Sequence, residues 1–334
     1  MGLLMSVDVA VVGATGLVGE ALVELLDECD FPLGNLHLLA SGESAGKSVP
    51  FRGRNLRVRD LAGFDFSSVR LAFFAAGADV VREHAPRATA AGCSLVDLSG
   101  SVAGPLLLPA LEAGAVAALT LPAQLRAPCA PAAEVAEVLA ALSPLLDIQR
   151  LAVTACLSAS QLGREGIQEL ARQTTELLNA RPVEPRLIDR QYAFNMLGQV
   201  GAADASGHTA IERRLHDELG ELFPQLKGQL QVSCLLAPVF FGDALNLSLR
   251  AVAPIDLEAV CAALENAEGI ELVEDDYPTV IGDALGQERI YVGRVRKGLG
   301  DPCELNLWIA SDNVRKGSAL NAVNLGALLI KHYL

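Results

Sequence analysis

The stretch Gly13-Ala14-Thr15-Gly16-Leu17-Val18-Gly19 decides the fold. It follows the apolar run Val7–Val12, which is of strand type, and it opens a segment, 17–26, whose apolar residues recur at helical spacing. Glycines at this spacing let backbone N–H groups approach a pyrophosphate, and the start of the helix adds partial positive charge. A turn that merely needs positive φ is the plainer alternative. The strand–turn–helix context favours a phosphate-binding loop in a Rossmann-type domain.

Three further apolar runs in the first hundred residues also end in small or polar residues. They cover 36–40, 70–76 and 94–98, and each is of strand type. In a parallel sheet the carboxyl ends of such strands line a ligand crevice. We therefore predict further cofactor contacts from the residues at or just after these strand ends: Ser41, Ser44, Ala76, Gly77 and Ser99.

Glu43 bears on which dinucleotide is bound. The segment 42–48 looks like a phosphate-binding P-loop, but it has one residue too few between its glycines. Because it follows the second strand, we expect it to lie near the adenosine ribose. A carboxylate there accepts a hydrogen bond from a ribose 2′-hydroxyl and repels a 2′-phosphate. NAD or NADP is therefore the predicted cofactor, and Glu43 favours NAD. The alternative is that Glu43 points into solvent and has no part in this choice. The purified protein need not contain the bound cofactor.

The second half of the chain alternates between period-two strand patterns and amphipathic helices. Strand patterns lie at 151–155, 230–236, 245–252, 290–295 and 304–309, and helical patterns lie between them. This mixture predicts an α+β domain with an open mixed sheet. We expect residues 1–130 and 313–334 to form the dinucleotide-binding domain, and residues 131–312 to form a substrate-binding and dimerisation domain.

Composition excludes several classes of function. The formal net charge is −14 without a long basic run, which argues against a nucleic-acid partner. No stretch approaches the roughly 18 apolar residues of a membrane span. The 7 cysteines and 5 histidines are scattered, without the spacing of metal ligands or of a disulfide framework. We therefore expect a cytoplasmic, metal-free protein that does not associate with a membrane.

Several motifs together resemble the aspartate-semialdehyde dehydrogenase family over essentially the whole chain. They are the loop 39–47, Phe194-Asn195, and the most specific segment, 292–321, which contains Ser311-Asp312-Asn313-Val314-Arg315-Lys316-Gly317. The resemblance implies an oxidoreductase of amino-acid biosynthesis that binds NADP and forms a covalent thioester on a cysteine. It also implies a homodimer, and places Asn313 and Lys316 among the cofactor-binding residues.

The family's catalytic residues do not carry over to the matching positions. Counting back from Pro144 puts Ala133 at the nucleophile, and Cys129 could serve only if the following helix contained an insertion. The family's glutamine, substrate arginine and histidine base fall on Leu157, Leu236 and Asp243. Glu212 and Arg214 match an acidic–basic pair that lines the substrate pocket. The plainer interpretation of Cys129 is a small residue that ends a strand. The plainer interpretation of Glu212 and Arg214 is a solvated helix face.

Three hypotheses follow. The first is a homodimeric, nucleotide-binding paralogue that has lost the family's acyl-phosphate chemistry, most similar to the Usg-type members. The second is an active NAD(P)-dependent aldehyde dehydrogenase that uses Cys129 on a non-standard substrate, with Asp243 as base. The third is an unrelated oxidoreductase reaction, for which no residues are assigned.

Overall fold

The computed structural model describes residues 6–112 and 119–333, which form two compact units. The first unit comprises the described residues of Met1–Cys129 and Ser318–Leu334. The second unit is Ala130–Gly317. No helix in the described part of the chain is both long enough and apolar enough to cross a membrane.

The first unit is built on a six-stranded, wholly parallel sheet. Its strand order is β5-β2-β1-β6-β7-β8, where the strands are β1 (Val7–Val12), β2 (Leu33–Ala40), β5 (Arg59–Asp60), β6 (Leu71–Phe74), β7 (Ser94–Asp97) and β8 (Gln124–Arg126). Strands β6 and β7 are buried along their whole length, and β6 accordingly consists of apolar residues alone. A separate hairpin pairs β3 (Ser48–Phe51) with β4 (Arg54–Arg57).

The helices of this unit come from both ends of the described chain. They are α1 (Leu17–Glu28), α2 (Ala78–Ala90), α3 (Pro109–Glu112) and α8 (Asn321–Tyr333). The terminal helix α8 packs against α1, β6 and β7, and the Tyr333 hydroxyl accepts a hydrogen bond from the Leu119 N–H at 2.6 Å. Helix α8 is therefore an integral part of the first unit.

The second unit contains a six-stranded mixed sheet. Its order is β10-β9-β11-β14-β13-β12, where the strands are β9 (Ile148–Leu157), β10 (Leu230–Leu236), β11 (Asp243–Ala251), β12 (Ile270–Val273), β13 (Ile290–Lys297) and β14 (Glu304–Ser311). The outer pairs β9/β10 and β12/β13 are parallel, whereas the central pairs are antiparallel. Burial alternates along β11, so one face of the strand meets the core. The predicted fold class, a Rossmann-type unit with an α+β unit on an open mixed sheet, is confirmed.

Four longer helices accompany this sheet: α4 (Ala130–Leu142), α5 (Gly163–Leu178), α6 (Ala210–Leu222) and α7 (Leu257–Glu265). Helix α4 packs against α6 and α7. It is buried on nearly every side, including its two glutamates, Glu134 and Glu137. A helix that is apolar all round belongs in a core, so these two carboxyl groups are placed where water does not reach them.

Candidate functional site

The loop between β1 and α1 has the geometry of a phosphate-binding turn. Gly13 has φ of +83°, and a Cβ on it would overlap the carbonyl oxygen of Ala75 at the end of β6. The N–H groups of Gly13 and Ala14 both donate to the Leu39 carbonyl, at 2.8 and 3.1 Å, which fixes the loop against β2. Only glycine fits at position 13, because both the backbone conformation and the space exclude a side chain.

The start of α1 is free of a side-chain cap within the described structure. Gly16 occupies the N-cap position, and the first helical residues are Leu17 and Val18. The N–H groups of a first helical turn have no partner inside the helix, so they are the donors that a pyrophosphate accepts. The residues present therefore fit a dinucleotide phosphate, and Gly19 leaves no room for a side chain because a Cβ there would overlap the Gly13 carbonyl oxygen.

The neighbouring strand ends supply small residues and one ordered turn. Ala76 and Gly77 follow β6, and Gly77 has open space around its Cα. Beyond β7, the N–H and hydroxyl of Ser99 both donate to Asp97 Oδ1 at 2.7 Å, while the N–H groups of Ser101 and Val102 donate to Asp97 Oδ2. Buried Asp97 therefore holds the turn that presents Ser99.

The turn after β2 is exposed. The Ser44 N–H donates to the Ser41 carbonyl at 2.9 Å, and Lys47 Nζ donates to the Ser44 hydroxyl at 3.3 Å. Glu43 is exposed at the tip of this turn. Its carboxylate is therefore open to solvent, which agrees with the plainer alternative for this residue and leaves the ribose contact a prediction.

The residues at the predicted catalytic positions are apolar and enclosed. Ala133 lies in the first part of α4 and is fully buried. Leu157 and Leu236 lie opposite each other at the ends of the parallel strands β9 and β10, and both are buried. Cys129, the last residue of the first unit, is 8% exposed.

Asp243, at the predicted position of the base, is fully buried at the start of β11. Its Oδ1 atom accepts a hydrogen bond from the Ser158 N–H at 3.2 Å. Burial raises the pKa of Asp243 to about 7, with the charge of Asp312 adding to the effect and the Ser158 N–H opposing it. A carboxyl with such a pKa exists in both protonation states near neutral pH.

Glu134, one residue after Ala133, is a second fully buried carboxyl in this region. Burial raises its pKa well above the usual range, and the charges of Asp243, Glu137 and Asp312 raise it further. Sequence reasoning missed Glu134 because a helical glutamate ordinarily faces solvent. The available signal was the apolar run around it in α4, which leaves the helix no polar face.

The two predicted cofactor residues of the second unit are bonded within that unit. Asn313 Nδ2 donates to the Ser160 hydroxyl at 2.9 Å, and its Oδ1 accepts from the Gly242 N–H at 3.0 Å. Lys316 Nζ donates to both carboxylate oxygens of Glu137, at 3.0 and 2.8 Å. Both side chains are thereby held in fixed positions.

Glu212 and Arg214 stabilise α6. Glu212 accepts hydrogen bonds from the Thr209 N–H at 2.8 Å and from the Cys234 N–H at 3.0 Å, and with Thr209 it forms a capping box. Arg214 Nε donates to Glu218 at 2.7 Å. The Thr-x-x-Glu spacing before an apolar run is the sequence signal for this capping role.

Comparison with known proteins agrees with this architecture. Residues 8–118 match the semialdehyde dehydrogenase NAD binding domain, and residues 139–316 match the semialdehyde dehydrogenase dimerisation domain. The chain is 62% identical to the USG-1 protein homolog of Pseudomonas aeruginosa, covering 98% of each chain. It is 37% identical to aspartate-semialdehyde dehydrogenase 2 of Vibrio cholerae, again over 98% of each. The solved structure of aspartate semialdehyde dehydrogenase II from Vibrio cholerae superposes with a TM-score of 0.93, at 36% identity over 99% of this chain and all of that one. The chain therefore belongs to the aspartate-semialdehyde dehydrogenase family.

Proposed function

We propose that this protein is a homodimeric, nucleotide-binding paralogue that lacks the family's covalent acyl-phosphate chemistry. The observation that carries the proposal is Ala133, which stands where the family's nucleophile is expected and is fully buried in α4. A methyl group cannot form a thioester, so the acyl-enzyme route is closed at this position.

The side chains at Leu157 and Leu236 support the same conclusion. They replace the family's amide and guanidinium, and both face a buried environment at the ends of β9 and β10. A leucine offers none of the paired N–H donors that hold a carboxylate or phosphate. The protein would therefore lack the groups that bind an acidic substrate as well as the nucleophile that attacks it.

Nucleotide binding is supported by the loop at Gly13–Gly19. The backbone excludes a side chain at Gly13 and at Gly19, and no described side chain caps the start of α1, which leaves its N–H groups available to a pyrophosphate. The exposed carboxylate of Glu43 favours NAD over NADP, because a 2′-phosphate would meet a like charge. Asn313 and Lys316 are further proposed cofactor-binding residues.

The homodimer is proposed from residues 139–316, which match a dimerisation domain. We also propose a cytoplasmic location and a context in amino-acid biosynthesis; the latter is supported by the two relatives named above that are aspartate-semialdehyde dehydrogenases. Size-exclusion chromatography with light scattering tests the oligomeric state directly. A monomer at micromolar concentration would contradict this part of the proposal.

Burial of Cys129 weighs against the alternative of an active aldehyde dehydrogenase. A catalytic cysteine lies in a partly exposed, electropositive environment that favours its thiolate. Cys129 is only 8% exposed. Iodoacetamide labelling followed by mass spectrometry should therefore modify partly exposed Cys261 and Cys303 before Cys129.

Calorimetric titration with NADH and NADPH, side by side, tests the nucleotide-binding claim. We expect saturable binding of NADH, weaker binding of NADPH, and loss of both in Gly13→Ala. The matched control is Gly53→Ala, because Gly53 also has positive φ but lies in open space in the β3–β4 hairpin. Failure of the folded wild-type protein to bind either nucleotide would refute this part of the proposal.

A further inference from the structure

Two large apolar side chains, Phe194 and Met196, project from one loop on the surface of the second unit. They are 65% and 59% exposed. Phe194 also has φ of +60°, in the left-handed region that a bulky residue adopts only where its surroundings impose it. Residues held in such conformations cluster at functional sites, and neighbouring exposed apolar groups mark interaction surfaces. The loop therefore has the character of a binding surface.

The chain is fixed on the N-terminal side of this loop. Tyr192 and Ala193 are fully buried, and their N–H groups both donate to Gln173 Oε1, at 2.6 and 3.2 Å. The Tyr192 hydroxyl donates to the Ala237 carbonyl at 2.7 Å. The exposed residues thus follow directly on a buried and hydrogen-bonded anchor.

The loop is also fixed on its C-terminal side and within its turn. Leu197 and Leu236 exchange two backbone hydrogen bonds, at 3.0 and 2.8 Å. The Asn195 N–H donates to the Tyr192 carbonyl at 3.1 Å, and Asn195 Nδ2 donates to the Gln191 carbonyl at 3.0 Å. The tip of the loop is therefore preorganised, so little conformational freedom is lost when a partner covers it.

A groove of about 630 Å³ lies beside the loop. Its apolar lining includes Leu162, Leu187, Met196, Leu197 and Leu236, and its polar lining includes Asp189, Arg190 and Gln199. The leucines at 197 and 236 are buried, whereas the polar residues are exposed. Apolar residues surrounded by a polar rim are typical of a protein–protein interface. A projecting apolar loop and an apolar groove therefore adjoin each other on one surface.

Two exposed charges of opposite sign also line the groove. Asp189 Oδ1 lies 3.5 Å from Arg190 Nε, and both side chains are exposed. A pair of this kind contributes little to the stability of a single chain. Across a two-fold axis each of these charges can face its opposite on the other copy, because residue i contacts j and j contacts i. The surface is thus complementary to itself in charge as well as in shape.

We propose that the Phe194 loop and the adjoining groove dock a second copy of this chain, with the Phe194 ring of each copy in the groove of the other. The inference rests on the homodimer proposed above and names the surface that forms it. Both parts of the surface lie within residues 139–316, which match a dimerisation domain. A two-fold interface requires one patch that fits itself, and an aromatic anchor in a pocket typically dominates its binding energy.

Sedimentation equilibrium of the wild-type protein and of Phe194→Ser, over a dilution series, tests the proposal. Each substitution occurs twice in a two-fold interface, so we expect the dimer dissociation constant to rise about 100-fold or more. Met196→Ser, which alters the groove itself, should also raise it. Far-UV circular dichroism should show unchanged secondary structure in both variants, because the two side chains are exposed.

The matched control is Leu299→Ser. Leu299 is a fully exposed apolar residue of the same unit and does not line the groove, so the dimer should persist unchanged. A charge exchange provides a test that leaves the apolar groups intact. Asp189→Arg alone should weaken the dimer, because it places cations against each other, and adding Arg190→Asp to the same chain should restore it.

Two results would contradict the proposal in different ways. A stable wild-type dimer whose dissociation constant is unchanged in Phe194→Ser and Met196→Ser would overturn the assignment of this surface and leave the homodimer intact. A wild-type protein that stays monomeric throughout the dilution series would contradict the homodimer itself.

Discussion

Lys316 Nζ and the Glu137 carboxylate form an ion pair whose two side chains are only 7% and 6% exposed. Both carboxylate oxygens accept from the same ammonium, at 3.0 and 2.8 Å. The pair joins α4 to the segment that follows β14. The Lys316 side chain in this pair is also one of the residues that the family resemblance predicts to bind the cofactor.

Removal of Lys316 should therefore destabilise the second unit. Lys316→Met removes the ammonium from which both oxygens of the buried Glu137 carboxylate accept, and we expect a loss of about 3–5 kcal/mol in the free energy of unfolding. Chemical denaturation measures this loss. Adding Glu137→Leu to the same chain removes the buried carboxylate as well and should recover most of the stability. A Lys316→Met variant as stable as the wild type would contradict the structural role, and the nucleotide affinity of the double variant tests the predicted cofactor contact.

Replacement of Gly13 by alanine should destabilise the protein more than the same replacement of Gly53, which lies in open space. Gly53→Ala meets only the conformational cost of positive φ, about 1–2 kcal/mol. Gly13→Ala adds overlap with the Ala75 carbonyl, which we expect to cost ~1–3 kcal/mol more. Urea denaturation of the two variants gives the comparison. Equal destabilisation would show that the loop relaxes around the added methyl group.

Glu43 should set the preference between the two dinucleotides. Glu43→Gln removes the negative charge that a 2′-phosphate would meet, so we expect the ratio of NADPH to NADH affinity to rise by about tenfold, or about 1.4 kcal/mol. Parallel titrations measure the ratio. Glu24→Gln is the control, because Glu24 is exposed on α1 away from the turn. An unchanged ratio in Glu43→Gln would mean that this carboxylate does not contact the ribose.

The contribution of Asp243 to the stability of the protein should fall as the pH rises from about 4 to about 7. The pKa of Asp243 is raised by burial to about 7 in the folded state, so the folded protein holds a proton that the unfolded chain releases near its ordinary pKa of 3.8. The stabilisation is therefore complete below about pH 4 and is lost as the pH passes through 7. Each pH unit between the two pKa values is worth about 1.4 kcal/mol, so the total is on the order of a few kcal/mol.

Asp243→Asn removes this group without changing its shape, and its stability should vary less over the same pH range. Denaturant titrations at about pH 5, 6, 7 and 8 give the two curves. The difference between wild type and variant isolates Asp243 from other titrating groups. Parallel curves would show that Asp243 titrates normally in the folded protein.

Elements with strong local signals could be predicted closely from the sequence. The strand pattern at 230–236 corresponds to β10 (Leu230–Leu236), and one of the helical patterns predicted between the strands corresponds to α6 (Ala210–Leu222). The capping box at Thr209 and Glu212 fixes where α6 begins. The β3–β4 hairpin was not predicted, because its short strands carry Pro50, Arg54 and Arg57 and lack an apolar run.

The buried carboxyl of Glu134 could not be found by pattern alone. Its burial depends on packing around α4 and on the space that Gly317 leaves, and both arise only from tertiary structure. Asp243 was identified as a replacement for a base, but its partnership with Ser311 depends on strand register. Sequence spacing therefore located Asp243, whereas its burial and its pairing with Ser311 required the fold.

The most direct test of the proposed function is an assay for phosphate-dependent reduction of NAD and NADP with aspartate semialdehyde, on protein that has been shown to bind nucleotide. With Ala133 in place of a nucleophile and Cys129 buried, we expect no reduction above background. Sustained, phosphate-dependent turnover that is lost in Cys129→Ala would contradict the account and establish an active dehydrogenase.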